Sequence, residues 1–373
     1  MQDIESQPRI FDDNEVAPAI ETLFSFPGLQ MGLKTLFPES LSELILKEKE
    51  KVHSIFDFQK YVVYPIIKWI QNGSVTALTA DGLEHIKPDN RYLFISNHKD
   101  IVLDSALLNM VLFEHDLPTS QIAIGDNLMK HRISELIFKL NKSFVVKRTG
   151  TAVELYQYSV KMSQYICDLI SLKKDSVWIA QREGRSKDGN DRTQPGLLKM
   201  LSLSNKEDLK TFFQQLNIIP VAISYEYDPC DLLKTQEFLK KKADLEYKKA
   251  FDEDVASMLL GLKGPKGRVH FHFGKPLKEE LDIFDTLPNA KKQLEVLAQI
   301  IDKAIHLHYD LHPVNYLAND LLHLSNQYAD KYTPEASQYL QEKMAQLTND
   351  PTGEGRDYLL AMYANPLINQ HSY

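Results

Sequence analysis

The sequence predicts a layered α/β fold, and three observations carry that prediction. Six short β-rich runs lie between Tyr92 and Phe273: YLFIS (92–96), QIAIG (121–125), SFVVK (143–147), SVWIA (176–180), IIPVAIS (218–224) and RVHFHF (268–273). Amphipathic helix patterns fall among them, near 102–114, 127–140, 150–173 and 204–215. The flanks, by contrast, read as helix with no clear strand. Strands that alternate with helices bury a sheet between layers, which is the α/β solution.

In chain order, residues 1 to about 80 read as a helical lead-in. Phe56, Tyr61, Tyr64, Ile67 and Trp69 mark a mostly apolar helix, with Pro65 as a kink. Packing on the main domain and contact with a membrane both account for it. A Lys-rich segment from Leu232 to Leu262 separates the last two strands as a helical insertion. The expected organisation is a helical region at 1–85, an α/β domain at 86–280 with the insertion at about 231–262, and a helical region at 281–373.

Hydrophobic residues make up 43% and charged residues 25% of the 373, the balance of a folded protein. The net charge of −8 argues against nucleic acid as a partner. Two cysteines, Cys167 and Cys230, predict a reducing compartment and form no zinc motif. The start, MQDIESQPRIFDDNEV, is acidic and lacks the basic, then apolar, pattern of a secretory signal. No run approaches the roughly 18 apolar residues of a spanning helix. A cytoplasmic protein, peripheral on the cytoplasmic face of a membrane, is the expectation.

Polar clusters recur at the strand ends. In SNHKDIVLD (96–104), His98 stands at a strand-to-helix junction with carboxylates nearby. A carboxylate that holds one imidazole nitrogen leaves the other to accept a hydroxyl proton. The plainer reading is a loop histidine with Asp100 as a helix N-cap. In SFVVKRTG (143–150), Lys147 and Arg148 precede a helix, a pairing suited to a phosphate or simply to solvent. In WIAQREGRSKDG (178–189), a strand runs into Arg182, Glu183, Gly184, Arg185 and Ser186, donors for developing negative charge or a surface turn. IIPVAISYE (218–226) alone is a core strand.

Taken together and in this order, the clusters resemble the glycerolipid acyltransferase superfamily, which includes glycerol-3-phosphate and 1-acylglycerol-3-phosphate acyltransferases. The matching blocks are Asn97-His98…Asp104, Val145-Val146-Lys147-Arg148, Glu183-Gly184-Arg185-Ser186 and Ile219-Pro220-Val221-Ala222-Ile223-Ser224-Tyr225. GLLKM (196–200) and FGKPL (273–277) also sit where the family has similar residues, so the likeness spans about residues 90 to 280. It implies an acyltransferase-type layered fold, a mixed central sheet flanked by helices. Two departures stand out. Five residues separate His98 from Asp104 where the family has four, leaving Asp104 or Asp100 as the orienter; Asp104 is favoured by the Ser-Ala-Leu-Leu that follows it. The third block also lacks a Thr between Gly184 and Arg185.

The resemblance implies O-acylation of glycerol-3-phosphate or lysophosphatidate from acyl-CoA or acyl-carrier protein, at a membrane surface, without metal or organic cofactor. His98 and Asp104 are the implied catalytic pair. Asn97, Lys147, Arg148, Glu183, Gly184, Arg185, Ser186 and Pro220 are the implied substrate-binding residues, with Lys147, Arg148 and Arg185 on an acceptor phosphate. Acylation of another lysolipid or an amino-acid lipid, or an inactive lipid-binding relative, are the alternatives.

Three further signals are weaker. His306, His308, Asp310 and His312 crowd together, but on a helix only His308 and His312 share a face. Lys234, Lys240, Lys241, Lys242, Lys248 and Lys249 suit anionic headgroups or an acidic carrier protein, although interspersed acids make a solvated helix equally reasonable. The helix at 127–140 suits either an interfacial surface or core packing.

Overall fold

One mixed sheet of seven strands forms the centre of the protein, whose computed structural model describes residues 7–248, 251–347 and 350–373. The strands are β1 (Val75–Asp81), β2 (Leu93–Ser96), β3 (Gln121–Gly125), β4 (Ser143–Val146), β5 (Val177–Ala180), β6 (Ile218–Tyr225) and β7 (Gly267–Phe273). Their lateral order is β1-β7-β6-β2-β5-β3-β4. Strands β6, β2, β5, β3 and β4 run parallel, β7 is antiparallel to β6, and β1 is parallel to β7. Every residue of β2 and β6 is buried, as parallel strands covered on both faces require. That is why both read as continuous apolar runs.

Strand β1 corrects the expected boundary at residue 85. VTALTAD joins the sheet as an edge, with Leu78 opposite Val269 and Ala80 opposite Phe271. None of its residues is buried, so it never needed the apolar run that identified the others. The sheet therefore reaches back into what the sequence presents as a helical lead-in.

Helices α1 (Asp13–Ser25), α2 (Pro27–Leu36), α3 (Glu39–Glu48), α4 (Ile55–Phe58) and α5 (Tyr64–Ser74) precede the sheet. A π turn, Gln59–Val63, joins α4 to α5, and the Tyr64 N–H donates to the Gln59 carbonyl five residues back. Pro65 has no N–H to give, and the turn widens just ahead of it. Helices α6 (Leu103–Glu114), α7 (Arg132–Leu140), α8 (Ala152–Ser171), α9 (Pro195–Leu201) and α10 (Leu209–Gln215) connect the strands. The expected insertion is a helix pair, α11 (Asp231–Ala243) and α12 (Phe251–Lys263). Helices α13 (Ala290–Leu307), α14 (Pro313–His323), α15 (Pro334–Ala345) and α16 (Glu354–Gln370) close the chain.

Each face of the sheet has its own core. One packs Ile95, Val177 and Ile179 against α8, α9, α10 and α13. The other packs Phe94, Ile219 and Phe271 against α5 and α6, and α6 is buried on every side from Leu103 to Leu112. Leu136 and Leu140 of α7 are buried against the N-terminal helices, with Ile133 and Ile137 half-buried beside them. In the insertion, Lys234 is buried against Asp228, while Lys240, Lys241 and Lys242 pair with Glu253, Glu237 and Glu354. Lys249 and the first six residues of the acidic start lie outside the described residues. Among the described residues, no helix is long and apolar enough to cross a membrane.

Candidate active site

The five parallel strands end along one edge of the sheet, the edge at which open α/β sheets place their ligands. Asn97 and His98 follow β2 directly. Asn97 is fully buried; its Nδ2 donates to the Ile223 carbonyl and its Oδ1 accepts from the Ile223 N–H, both at 2.8 Å. The β2–β6 ladder has already ended at Ser96, so this side chain continues it and fixes where His98 begins. The expected substrate contact by Asn97 is thereby corrected: both ends of its amide are engaged inside the protein.

His98 Nδ1 lies 2.8 Å from Asp104 Oδ2, with Asp104 fully buried and the His98 side chain 14% exposed. The same Oδ2 accepts from the Lys99 and Asp100 N–H groups at 2.6 and 3.0 Å, and Oδ1 accepts from the Tyr225 hydroxyl at 3.0 Å. Burial and the Asp104 charge hold the Tyr225 pKa well above its usual value, so Tyr225 remains a donor. Asp100 has the other role the sequence allowed. Its Oδ1 accepts from the Val102 and Leu103 N–H groups at 2.9 Å, capping α6. Burial, then the neighbouring Asp104, push its carboxyl pKa up.

A charged layer beneath the turn holds the backbone. Lys99 Nζ meets Asp191 at 2.8 Å, and Lys234 reaches both Asp228 and the Lys99 carbonyl. Burial works against the Lys99 ammonium, yet Asp191 leads the opposing charges that keep its pKa raised. Asp191 belongs to the loop after β5, and the C-terminal helices clamp that loop. Asp302 accepts from the Thr193 N–H at 2.6 Å, and Asn365 donates to the Asp188 carbonyl at 2.7 Å. Gly189 adopts φ +73°, and a Cβ there would sit 2.1 Å from the Met362 carbonyl oxygen of α16.

Two adjoining hollows open at this edge. The narrower, of about 90 Å³, brings His98, Arg148, Arg182 and Gly184 together above apolar walls that include Ile122 and Trp178. The wider, of about 640 Å³, is a cleft bordered by Lys147, Arg148, Arg182 and Glu183. Arg148 faces Glu183 at 3.6 Å, and the Lys147 ammonium lies over the Tyr158 ring at 5.1 Å. A Cβ on Gly125 would stand 2.8 Å from Arg148 Nε, so glycine there is what lets the guanidinium lie against β3.

The structure separates the expected residues into two groups. His98, Asp104, Lys147, Arg148, Glu183 and Gly184 converge on the hollows or on His98. Besides Asn97, three others do not. Arg185 is buried and borders a separate pocket with Lys234 and Glu237 of α11. Ser186 is buried, and its N–H donates to the His98 carbonyl at 2.9 Å, which makes it a support of the turn. Pro220 lies inside β6 opposite Ile95, below the level of His98, where Gly274 N–H reaches its carbonyl at 2.9 Å. Arg182 was not among the expected binding residues, and it lines both hollows. Its signal was visible in the sequence as a cation beside Glu183 and Gly184 in the loop after β5.

The C-terminal histidines do not converge. His306 Nε2 is 2.6 Å from the Asp191 carbonyl, His308 stacks on His272 at 3.9 Å, and His312 is fully buried. Among the described residues, no group of His, Cys, Asp and Glu has metal-holding geometry. Burial pushes the Cys230 thiol up to about 12, and its Sγ faces the Ser257 carbonyl.

An imidazole oriented by a buried carboxylate, at the mouth of an apolar pocket bordered by guanidinium groups, has the chemistry of acyl transfer to a hydroxyl. Residues 77–224 match the family model described as Acyltransferase. Among solved structures, the 1-acyl-sn-glycerophosphate (LPA) acyltransferase PlsC from Thermotoga maritima aligns with 14% identity and a TM-score of 0.37. The alignment covers 74% of this chain and 92% of that one. No curated protein matches the sequence.

Proposed function

We propose that this acyltransferase moves a fatty acyl group from a thioester, acyl-CoA or acyl-carrier protein, to a hydroxyl of glycerol-3-phosphate or lysophosphatidate at a membrane surface. The observation that carries the reading is the His98–Asp104 bond. It engages Nδ1 and leaves Nε2 as the nitrogen for the pocket that His98 lines. In this reading Nε2 takes the acceptor hydroxyl proton, and the oxygen attacks the thioester carbonyl. The tetrahedral oxyanion then collapses, the carbon–sulfur bond breaks, and the thiolate recovers the proton from His98. Asp104 stabilises the imidazolium between those two steps.

The Glu183 N–H is bound to Gln194 Oε1 and the Ser186 N–H to the His98 carbonyl. Oxyanion donation therefore falls to Gly184 and the guanidinium groups that border the pocket. Arg148 and Arg182, with Lys147 in the wider cleft, supply positive charge for an acceptor phosphate. The chemistry draws on side chains and backbone alone.

The test is thiol release from palmitoyl-CoA and palmitoyl-carrier protein, with glycerol-3-phosphate and lysophosphatidate supplied separately. Acceptor-dependent release, reduced at least about a hundredfold in His98→Ala, is expected. Release that ignores His98 would sink the mechanism, and release with neither acceptor would sink the substrate assignment.

A further inference from the structure

Helices α11 and α12 lie outside the matched segment, residues 77–224, yet both reach the turn that carries His98. The first contact is at the Lys99–Asp100 peptide. Its N–H donates at 3.0 Å to Asp104 Oδ2, the oxygen that also holds His98. Its carbonyl, the Lys99 oxygen, accepts from Lys234 Nζ of α11 at 3.0 Å. In a trans peptide these two groups point in opposite directions, so Asp104 and Lys234 hold one rigid plane from its two sides. Lys234 is itself buried, and its ammonium also meets Asp228, whose Oδ1 accepts from the Cys230 N–H at 2.9 Å.

Helix α12 meets the next residue. A Cβ on Gly261 would lie 2.2 Å from Asp100 Oδ2, so that carboxylate rests directly on the helix backbone. Asp100 Oδ1 caps α6, and Asp104 is carried on the first turn of α6. Pressure on Asp100 is therefore passed to Asp104. The insertion is braced in turn by the C-terminal helices. Asp231, the buried first residue of α11, accepts from the Tyr339 and Tyr363 hydroxyls and from Lys343 Nζ, each at 2.8 Å.

We propose that the α11–α12 insertion sets the placement of the His98–Asp104 pair, with Lys234 and Gly261 as its positioning residues. The inference rests on the acyltransferase reading of the His98 site. Neither residue borders the two hollows at that site, so each acts through the turn and not on a substrate. Acyl transfer needs His98 Nε2 aligned with the acceptor hydroxyl, and a misplacement of about 1 Å can cost a hundredfold in rate. Loss of either contact should thus fall on kcat and spare binding.

The test measures kcat and KM for acceptor-dependent thiol release from palmitoyl-CoA, beside thermal melts, in wild type, Gly261→Ala and Lys234→Ala. Gly261→Ala should lower kcat at least about tenfold, with KM for donor and acceptor unchanged. Alanine favours helix over glycine, which offsets the new contact and keeps the variant folded. Lys234 borders the pocket of about 160 Å³ that Arg185 also lines, so the space its truncation opens can admit a small amine. Lys234→Ala should lose kcat similarly and recover it, saturably, on addition of propylammonium. Wild-type kcat in both variants would overturn the positioning role, and so would a raised KM with kcat unchanged. An amine that restored the melting temperature but not kcat would overturn it for Lys234, leaving a support of the fold alone. Absence of acceptor-dependent release in wild type would overturn the transferase reading, and the positioning role with it.

Discussion

Replacing Asp104 by asparagine removes one charge and almost no shape. The Asp104 Oδ2 accepts from His98, Lys99 and Asp100, and Oδ1 from Tyr225. An asparagine oxygen in the Oδ2 place keeps the three donors, and its NH2 then meets a Tyr225 hydroxyl free to rotate and accept. The turn and the His98 tautomer are retained, and what disappears is the charge that steadies the imidazolium. A charge-assisted bond exceeds a neutral one by about 1 to 2 kcal/mol, so kcat should fall roughly five- to thirtyfold. Asp104→Ala differs in kind. It strands the Lys99 and Asp100 N–H groups and the Tyr225 hydroxyl, and should lower stability by about 3 kcal/mol or more. Asp100→Asn keeps an oxygen for the Val102 and Leu103 N–H groups, so it should leave both kcat and melting temperature close to wild type. Thiol release under saturating donor and acceptor, beside thermal melts by circular dichroism, reads all three. The assignment fails if Asp100→Asn, still folded, loses more rate than Asp104→Asn.

Gly125→Ala should displace Arg148, whose Nε would lie 2.8 Å from the new Cβ; the KM for an anionic acceptor should rise about tenfold while the melting temperature holds. Gly189→Ala joins a left-handed residue at φ +73° to a carbonyl 2.1 Å away, so urea unfolding should show a loss of at least about 2 kcal/mol as α16 is pushed from the loop. Burial lowers the His312 pKa to about 4, although Asp310 opposes the shift. The unfolded chain, with a pKa of about 6.5, binds that proton more readily, so the stability due to neutral His312 is complete above that pH. It is lost as pH falls from 6.5 towards 4, by about 3 kcal/mol in all. His312→Gln should flatten the drop in urea midpoint between neutral and acid buffer, and an unchanged drop would contradict the assignment.

Much of the fold was legible because burial writes itself into composition. Strands β2 and β6 are covered on both faces, and only apolar residues suit that environment, so their runs named them at once. Strand β1 carries no such mark, being a half-polar edge, and only its pairing with β7 makes it a strand. Of the site, the order His98, Arg148, Glu183-Gly184 was readable from strand ends. Direction was not. Asn97 was expected in the binding site and Arg182 was not, yet the chain leaving β2 turns the first into the core and the chain leaving β5 turns the second into the pocket.

By itself the sequence determined the residue types, the strand-to-turn junctions that carry them, and the helical character of the regions before and after the sheet. These are local properties, decided by propensity and hydrophobic period over a few residues. Tertiary structure alone decided which carboxylate meets His98, because Asp100 and Asp104 differ only in whether the capped turn aims them at backbone or at imidazole. It also decided what the C-terminal helices are for. Their contacts with the loop after β5 join residues more than a hundred positions apart, as between Thr193 and Asp302. No local pattern records a contact of that span, since its strength resides in the packing that brings the two ends together.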